Sequence, residues 1–336
     1  MQSLLLVNGT LISDESIKLE DILIVDGRII STGRNLPGLP RETTIIDTGG
    51  KYIIPGGIDP HVHFALPTPA GPSCDDFRSG SLAAAAGGTT CIMDFVTPMP
   101  GQDLIEALAI RRQEAESSLL PYKLHAGITW YDDSIPAQMQ RCAEEEGIAS
   151  FKAYLAYKGS IGIEYHELEK VMRAAAALNA IVLVHCEEGD LILKKQQEFV
   201  ADGKTSPLYH ALSRPPEAEA SAVKKVTDLC RKTGCRTYIV HTSAAESLQY
   251  IREAKAEGLP LYCETCPQYL LLDENVYRKP LPASLKYVIS PPIRGREDRE
   301  ALWIALRDGT VDVVATDHCP FNTFGPRQSA RAVIPT

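Results

Sequence analysis

Short apolar runs recur along the chain from residue 55 onward, and stretches with helical spacing separate many of them. Eight of these runs predict β-strands, at residues 57–64, 89–95, 122–129, 149–156, 180–187, 236–242, 259–266 and 311–317. Helices are predicted between them, for example at 103–119, 165–178 and 217–234. Alternating strands and helices favour a parallel sheet. Eight repeats favour closure into a (β/α)8 TIM-type barrel, although the pattern alone also fits an open doubly wound sheet.

The first 55 residues have a different pattern, made of short β-type runs. Asn8-Gly9 and Asp26-Gly27 are typical of hairpin turns, because both residues of such turns tolerate positive φ. We therefore expect two domains. Residues 1–55 would form a small, β-sandwich-like sheet, and residues 56–336 would form the barrel.

Side chains suited to metal chemistry lie in the last part of five of these predicted strands. They are His61, His63, Lys152, His185, His241 and Asp317. In a (β/α)8 barrel the chemistry lies at the carboxyl ends of the strands, so these side chains would converge. A single histidine at a strand end is more often a core residue, but the joint pattern favours a metal centre. Zinc suits imidazole and carboxylate ligands, and manganese or iron would also fit.

Lys152 is the unusual member of this set. Its ammonium group has no lone pair for a metal ion, and the ordinary interpretation is a lysine that reaches solvent or pairs with an acid. However, it lies within the apolar run FKAYL. Burial there would lower the pKa of the amine, and the neutral amine could react with carbon dioxide to give a carbamate with two oxygens.

Composition narrows the classes of partner. The 336 residues are 44% hydrophobic and carry a formal net charge of -9, which argues against nucleic acid or an anionic membrane as the main partner. No signal-peptide pattern and no membrane-spanning apolar run is evident. The nine scattered cysteines favour reduced thiols and a cytoplasmic location. We expect Cys263 and Cys266 to be packing residues.

Several longer motifs follow one another in the sequence: PGGIDPHVH at 55–63, DDF-x-S-G at 75–80, AAAAGGTT at 83–90, FKAYLAYKG at 151–159, LVHCEE at 183–188, VHTS at 240–243, CETCPQYL at 263–270, ISPPIRG at 289–295 and ATDHCPFN at 315–322. In this order they resemble the dihydropyrimidinase and D-hydantoinase family, a cyclic amidohydrolase branch of the amidohydrolase superfamily.

The resemblance implies a binuclear zinc centre. His61, His63 and Asp317 would hold one ion, His185 and His241 the other, and Lys152, carboxylated on its side-chain nitrogen, would bridge them together with a hydroxide. That hydroxide would attack a dihydropyrimidine or 5-substituted hydantoin and give an N-carbamoyl amino acid. Asp317 would move the proton, Tyr157 would stabilise the oxyanion, and the backbone at Ser290 would bind the imide edge of the ring. The resemblance also implies pyrimidine catabolism and a homotetramer.

Other members of the superfamily remain alternatives. A dihydroorotase usually has an arginine two residues after the His-x-His motif, where this chain has Ala65. Allantoinase is the second candidate function, and a non-catalytic, protein-binding relative is the third, although such relatives typically lack several of the metal ligands. The loop 64–74 has Gly71-Pro72 where the family usually has Gly-Thr, so substrate preference stays open.

Four further histidines are not expected to bind metal. His318 would support its loop, while His125, His166 and His210 would be structural or surface residues.

The end of the chain departs from the family pattern. Family members continue with a substrate-binding asparagine, a last barrel helix and strands that complete the small domain, and GPRQSARAVIPT at 325–336 does not match them. We expect a barrel that is incomplete at its C-terminal end, with exposed apolar surface and with weak activity or low stability.

Overall fold

The computed structural model of the chain describes residues 2–68 and 71–321. The chain divides into two compact units, and the boundary falls directly after Gly57. The sequence-based boundary lay between residues 55 and 56. The expectations about residues 325–336 concern a part of the chain outside the described ranges.

The first unit contains a small mixed β-sheet. Its strands are β1 Ser3–Ile12, β2 Ile17–Val25, β3 Arg28–Gly33, β4 Thr43–Asp47 and β5 Tyr52–Ile53. The strand order is β3-β2-β1-β4, and β5 pairs with the end of β1. β1 is antiparallel to β2 and parallel to β4. The predicted N-terminal sheet is confirmed.

The two turn dipeptides of this sheet differ. Asp26 and Gly27 have φ values of 48° and 76° and join β2 to β3 as a two-residue hairpin, as predicted. The prediction of a turn at Asn8-Gly9 was wrong. Asn8 does have a φ of 64°, but it lies within β1, where the pairing with β2 shifts register as in a β-bulge. A Cβ atom at Gly9 would lie 2.3 Å from Ile53 Cδ1, so glycine allows β5 to approach β1.

The second unit is built around eight strands. They are β6 Gly57–Val62, β7 Thr89–Val96, β8 Tyr122–Ile128, β9 Ser150–Tyr154, β10 Ile181–His185, β11 Arg236–Ile239, β12 Leu261–Thr265 and β13 Val313–Val314. The strands lie in sequence order, and each pair from β7 to β13 is parallel. A parallel bridge between Val62 and His318 connects β6 to the segment after β13. The nearly closed barrel confirms the prediction and excludes the open sheet.

The α-helices of the described residues belong to the second unit. They are α1 Phe77–Ala86, α2 Leu104–Ala115, α3 Ile135–Glu144, α4 Tyr165–Ala177, α5 Gly189–Ala201, α6 Pro207–Leu212, α7 Pro216–Thr233, α8 Ala245–Ala256, α9 Pro267–Leu271 and α10 Arg296–Arg307. Two short 3-10 helices, Glu274–Arg278 and Ala283–Tyr287, follow α9. Within the described ranges, no helix has both the length and the apolar character needed to cross a membrane.

Local sequence explains where these helices begin and end. In α7, Pro216 occupies the first turn, where its missing N–H is no loss, and Gly234 ends the helix with a φ of 65°. Acidic residues in the first turn of α7 and basic residues in its last turn complement the helix dipole.

Alternation along the strands decides which side chains enter the barrel. Phe151 of β9 and Val184 of β10 belong to the large core cluster, which also contains helix residues such as Val171. Lys152 and Leu183 lie next to them in sequence and are register partners. Because neighbouring residues of a strand point to opposite faces, Lys152 and Leu183 point into the barrel.

Candidate metal centre

The structure brings the six predicted metal-binding residues together inside the barrel. His61 lies near the end of β6, His185 is the last residue of β10, and Lys152 lies in β9. The other three, His63, His241 and Asp317, follow the ends of β6, β11 and β13. His241 and Asp317 have positive φ values of 38° and 51°. Such backbone strain costs about 1–3 kcal/mol and persists where the surroundings enforce it, which is common at functional sites.

His61, His63 and Asp317 form a compact group. The Nε2 atoms of the two histidines are 3.2 Å apart, and each lies 3.3 Å from Asp317 Oδ1. Ligands bound to a tetrahedral ion at about 2.0–2.1 Å lie about 3.3–3.4 Å from one another. These three atoms therefore have the mutual spacing that a single divalent cation requires.

His185 and His241 form a second group next to the first. Nδ1 of His185 lies 3.0 Å from Nε2 of His241, and the ring of His241 has its centroid 5.5 Å from that of His61. Burial lowers the pKa of His185 and holds the pKa values of His61 and His241 well below the usual range. Neutral imidazole is the form that binds metal ions.

Lys152 is 1% exposed, and its neighbours Phe95 and Tyr154 contact His61 and His185, one residue of each group. Its Nζ is 4.9 Å from the ring centroid of Phe95 and 5.1 Å from that of Tyr154. Burial lowers the pKa of Lys152 to about 8, against the opposing charges of Asp317 and Glu264. A sizeable fraction of the amine is therefore neutral near physiological pH, and the neutral form is the nucleophilic one.

Glu264, to which the sequence analysis assigned no role, orients His61. Its Oε1 accepts a hydrogen bond from His61 Nδ1 at 2.8 Å and from the backbone N–H of His241 at 3.0 Å. Its Oε2 accepts one from the hydroxyl of Tyr238 at 2.8 Å. When Nδ1 of His61 is the donor, the lone pair on its Nε2 points toward His63. This arrangement fixes the tautomer that a metal ion needs.

Glu187 does the same for His185. Its Oε2 accepts a hydrogen bond from His185 Nε2 at 2.7 Å and a second one from Nη1 of Arg214. The Nδ1 lone pair of His185 then faces His241. Both glutamates lie within the motifs LVHCEE and CETCPQYL, but only their contacts reveal that they orient histidines.

Asp59 ties β6 to the segment that carries Asp317. One of its oxygens accepts hydrogen bonds from the backbone N–H groups of His61, at 3.3 Å, and Thr316, at 3.1 Å. Its second oxygen accepts one from the Thr316 hydroxyl at 2.6 Å. The residues on either side of the barrel closure are thereby held together.

Asp317 is ionised. Burial raises the pKa of Asp317, but His61, His63 and Lys152 outweigh burial and bring it down to about 2. The carboxylate can therefore bind a cation, and it can also receive a proton.

Tyr157 lies next to the second group. Its φ is 61°, and its carbonyl accepts hydrogen bonds from the N–H groups of Ser160 and Gly162 at 3.1 and 3.2 Å, which fix the loop. Its ring centroid is 5.1 Å from that of His185. Burial raises the pKa of Tyr157 to about 12, so the phenol stays a neutral donor.

His210 supports the segment of Ser290. Its Nε2 donates to the carbonyl of Ile289 at 3.0 Å and lies 3.3 Å from the Ser290 hydroxyl. His210 is 6% exposed, so this contact is shielded from solvent. No local sequence pattern predicts the contact between His210 and Ser290, because 80 residues separate them.

The other histidines lie outside the two groups. His125 contacts the Ser150 hydroxyl at 2.7 Å and the Pro60 carbonyl at 3.1 Å, in the interior of the barrel. His318 contacts Asp75 at 2.8 Å and so joins its loop to the segment before α1. His166 is exposed on α4. Two further expected packing residues, Cys263 and Cys266, are buried free thiols.

Comparisons with known proteins agree with this geometry. A model of the amidohydrolase family matches residues 52–333. A D-hydantoinase of Geobacillus stearothermophilus is 40% identical over 328 residues, which cover 97% of this chain and 69% of that protein.

Solved structures show the same fold. The crystal structure of dihydropyrimidinase from Brevibacillus agri NCHU1002 is similar with a TM-score of 0.95 at 36% identity, over 98% of this chain and 71% of that chain. An L-hydantoinase (dihydropyrimidinase) from Arthrobacter aurescens is similar with a TM-score of 0.82 at 26% identity, over 95% of this chain and 69% of that chain.

Proposed function

This chain belongs to the amidohydrolase family, and we propose that it hydrolyses a ring C–N bond of a cyclic amide to give an N-carbamoyl amino acid. The substrate would be a dihydropyrimidine or a 5-substituted hydantoin. One observation carries the proposal: four histidines in two neighbouring pairs, an ionised carboxylate beside His61 and His63, and a buried lysine lie together in the barrel interior. The relatives named D-hydantoinase and dihydropyrimidinase support the choice of substrate class.

The donor set fits two divalent ions, which we propose to be zinc. His61, His63 and Asp317 would hold one ion, with the 3.2–3.3 Å ligand spacing as support. His185 and His241 would hold the second. When bound, such ions would supply Lewis acidity toward the ring carbonyl and lower the pKa of a water molecule.

Lys152 would be carboxylated. The neutral amine adds to carbon dioxide, a C–N bond forms and one proton is released. The carbamate would supply two oxygens to which cations could bind, whereas the ammonium has no lone pair. The lowered pKa of Lys152 and its closeness to Phe95 and Tyr154, which contact His61 and His185, support this proposal.

Three residues would act on the substrate. A water oxygen attacks the ring carbonyl carbon, Asp317 accepts the proton, and the same carboxyl group returns it to the ring nitrogen as the C–N bond breaks. The neutral hydroxyl of Tyr157 would donate to the carbonyl oxygen as negative charge develops there. The backbone at Ser290 would hold the imide edge of the ring.

A substrate panel tests this function. Zinc-loaded protein in bicarbonate buffer is mixed separately with dihydrouracil, the D and L forms of a 5-substituted hydantoin, and allantoin, and ring opening is followed by absorbance. We expect turnover of the hydantoins or dihydrouracil. Turnover of allantoin alone would establish the alternative, allantoinase, and no turnover by folded, zinc-loaded protein would contradict the enzyme and favour a protein-binding role.

The carbamate is tested separately. Native mass spectrometry should show the added mass of one CO2 in the wild type and none in Lys152→Ala, which should also lose zinc. Lys158→Ala is the matched control, because its ammonium pairs with Glu164 in the loop after β9. Full zinc loading of Lys152→Ala would contradict the bridging role.

The remaining expectations are also proposals. They are the domain boundary after residue 55, the cytoplasmic location, a role in pyrimidine catabolism and the homotetramer. The molar mass in solution, measured by light scattering, tests the assembly.

A further inference from the structure

Arg214 lies between the carboxylate of Glu187, which orients His185, and the ring of Tyr157. It follows α6, is 4% exposed, and its Nη1 donates to Glu187 Oε2. The same oxygen accepts the 2.7 Å hydrogen bond from His185 Nε2. On its other side, the guanidinium carbon lies 5.3 Å from the centroid of the Tyr157 ring.

We propose that Arg214 is a positioning residue that fixes His185 and Tyr157 relative to each other. One guanidinium would thus fix the positions of both His185, a proposed metal ligand, and Tyr157, the proposed oxyanion donor. The inference rests on the proposed function, since it assigns a role to Tyr157 in that reaction.

The hydrogen bonding of Glu187 makes the coupling direct. Within the described part of the chain, Glu187 Oε1 is buried without a hydrogen-bond partner, so Oε2 alone serves both His185 and Arg214. The carboxylate would be free to rotate about its last bond if Arg214 did not hold it. His185 would then lose the acceptor that fixes its ring.

Arg214 is itself held in place. Its backbone carbonyl accepts a hydrogen bond from Arg294 Nη1. The Nε of Arg294 donates to the Ser243 hydroxyl at 3.0 Å, and its Nη2 lies 3.4 Å from Glu219. A second buried ion pair therefore anchors the main chain of Arg214, and its side chain can act as a fixed reference.

The planar shape of the guanidinium matters as much as its charge. Arginine can stack on an aromatic ring and donate in a fixed direction, whereas a lysine ammonium is a compact charge on a flexible stem. Arg214→Lys keeps the charge that Glu187 requires and removes the guanidinium whose carbon lies 5.3 Å from the centroid of the Tyr157 ring. This variant separates geometry from charge.

The test uses zinc-loaded protein and the substrate turned over by the wild type. We expect Arg214→Lys to lower kcat about 10–100-fold, the usual effect of losing a group that orients a metal ligand, with KM changed less than about threefold. Release of zinc to a chelator should become faster for one of two equivalents and stay unchanged for the other. Arg231→Lys is the matched control, since Arg231 makes a two-pronged contact with Glu257, at 2.7 and 2.8 Å, on the surface.

A double-mutant comparison tests the link to Tyr157. In a Tyr157→Phe background, Arg214→Lys should lower kcat by a smaller factor than in the wild type. The hydroxyl group of Tyr157, which the loss of Arg214 would displace, is already absent there. Equal factors in the two backgrounds would overturn the link. Unchanged zinc release together with unchanged kcat, or equal loss of both zinc equivalents, would overturn the positioning role.

Two safeguards keep the outcomes distinct. If Arg214→Lys does not fold by circular dichroism, Glu187→Gln takes its place, with the same selective zinc release expected. If the wild type turns over no cyclic amide, the proposed function fails, while selective zinc release still decides the claim about His185.

Discussion

Two buried glutamates orient imidazoles on opposite sides of the candidate centre, but their surroundings differ. Glu187 accepts from His185 and is paired with a guanidinium, that of Arg214. Glu264 accepts from His61 and otherwise from neutral donors, the hydroxyl of Tyr238 and a backbone N–H.

Their protonation reflects this difference. Burial raises the pKa of Glu264 to about 7, because hydrogen bonds and the charge of Lys152 only partly offset desolvation. Burial also acts on Glu187, but Arg214 and His185 outweigh it and lower its pKa to about 2. The same orienting task is therefore done by an ionised carboxylate on one side and by a carboxyl group that titrates near neutrality on the other. The two sides of the centre should therefore respond differently to mutation and to pH.

The largest effect is expected from Asp317→Asn, which acts on the Glu264 side. An amide cannot accept the proton, so kcat should fall about 10²–10⁴-fold. Zinc should be lost from the His61 and His63 side first. Steady-state kinetics and elemental analysis measure both effects, with the exposed Asp133→Asn as control. Retention of more than a tenth of the activity would remove Asp317 from the proton transfer.

The next effect is on stability, through Glu187→Gln. This change leaves the buried Arg214 without an anionic partner, which typically costs about 3–5 kcal/mol. Urea unfolding of the metal-free protein gives the free energy of unfolding. A loss below about 1 kcal/mol would show that the ion pair is not what holds this side.

Glu264→Gln tests the other side of the centre, because no lysine or arginine of the described residues forms an ion pair with Glu264. The free energy of unfolding should fall by less than about 1.5 kcal/mol, the usual net worth of a hydrogen bond. Zinc affinity on the His61 side should fall about 10–100-fold, since the tautomer of His61 is no longer fixed. A destabilisation equal to that of Glu187→Gln would erase the distinction between the two sides.

The smallest effect is the pH dependence of the melting temperature of the metal-free protein. The lowered pKa of Glu187 contributes stability above its usual value of 4.5, and this is lost as the pH falls toward 2. The raised pKa of Glu264 has the opposite sign: the folded state binds the proton more tightly, so stability falls as the pH rises from 4.5 through about 7.

The two glutamine variants separate these contributions. Glu264→Gln should flatten the profile in the weakly acidic range, and Glu187→Gln should flatten it in the strongly acidic range. Each 1 kcal/mol corresponds to about 2–4 °C in a domain of 150–250 residues. Parallel profiles for the wild type and both variants would contradict the assignment.

The sequence predicted all eight barrel strands because each is a short apolar run with a polar end. The last strand is much shorter than predicted: β13 covers Val313–Val314, whereas the prediction covered 311–317. The chain leaves the sheet there and turns at Asp317 with a φ of 51°. The turn prediction at Asn8-Gly9 was wrong for a related reason, because a backbone conformation suited to a turn is also suited to a β-bulge.

The orienting residues could not be predicted in the same way. His61 and Glu264 are 203 residues apart, and Arg214 reaches Glu187 from a loop after α6. Their contacts depend on how the barrel closes and on rotamers that no local pattern encodes. The metal-type side chains could be predicted because the chemistry of a (β/α)8 barrel lies at the carboxyl ends of its strands.

We propose that six side chains bind two divalent cations in the barrel interior. Zinc titration of metal-free protein in bicarbonate, followed by native mass spectrometry, is the decisive experiment. We expect two zinc ions per folded chain, and one in His185→Ala, that of the His61 side. A wild type that binds none, or a His185→Ala variant that still binds two, would refute the binuclear centre.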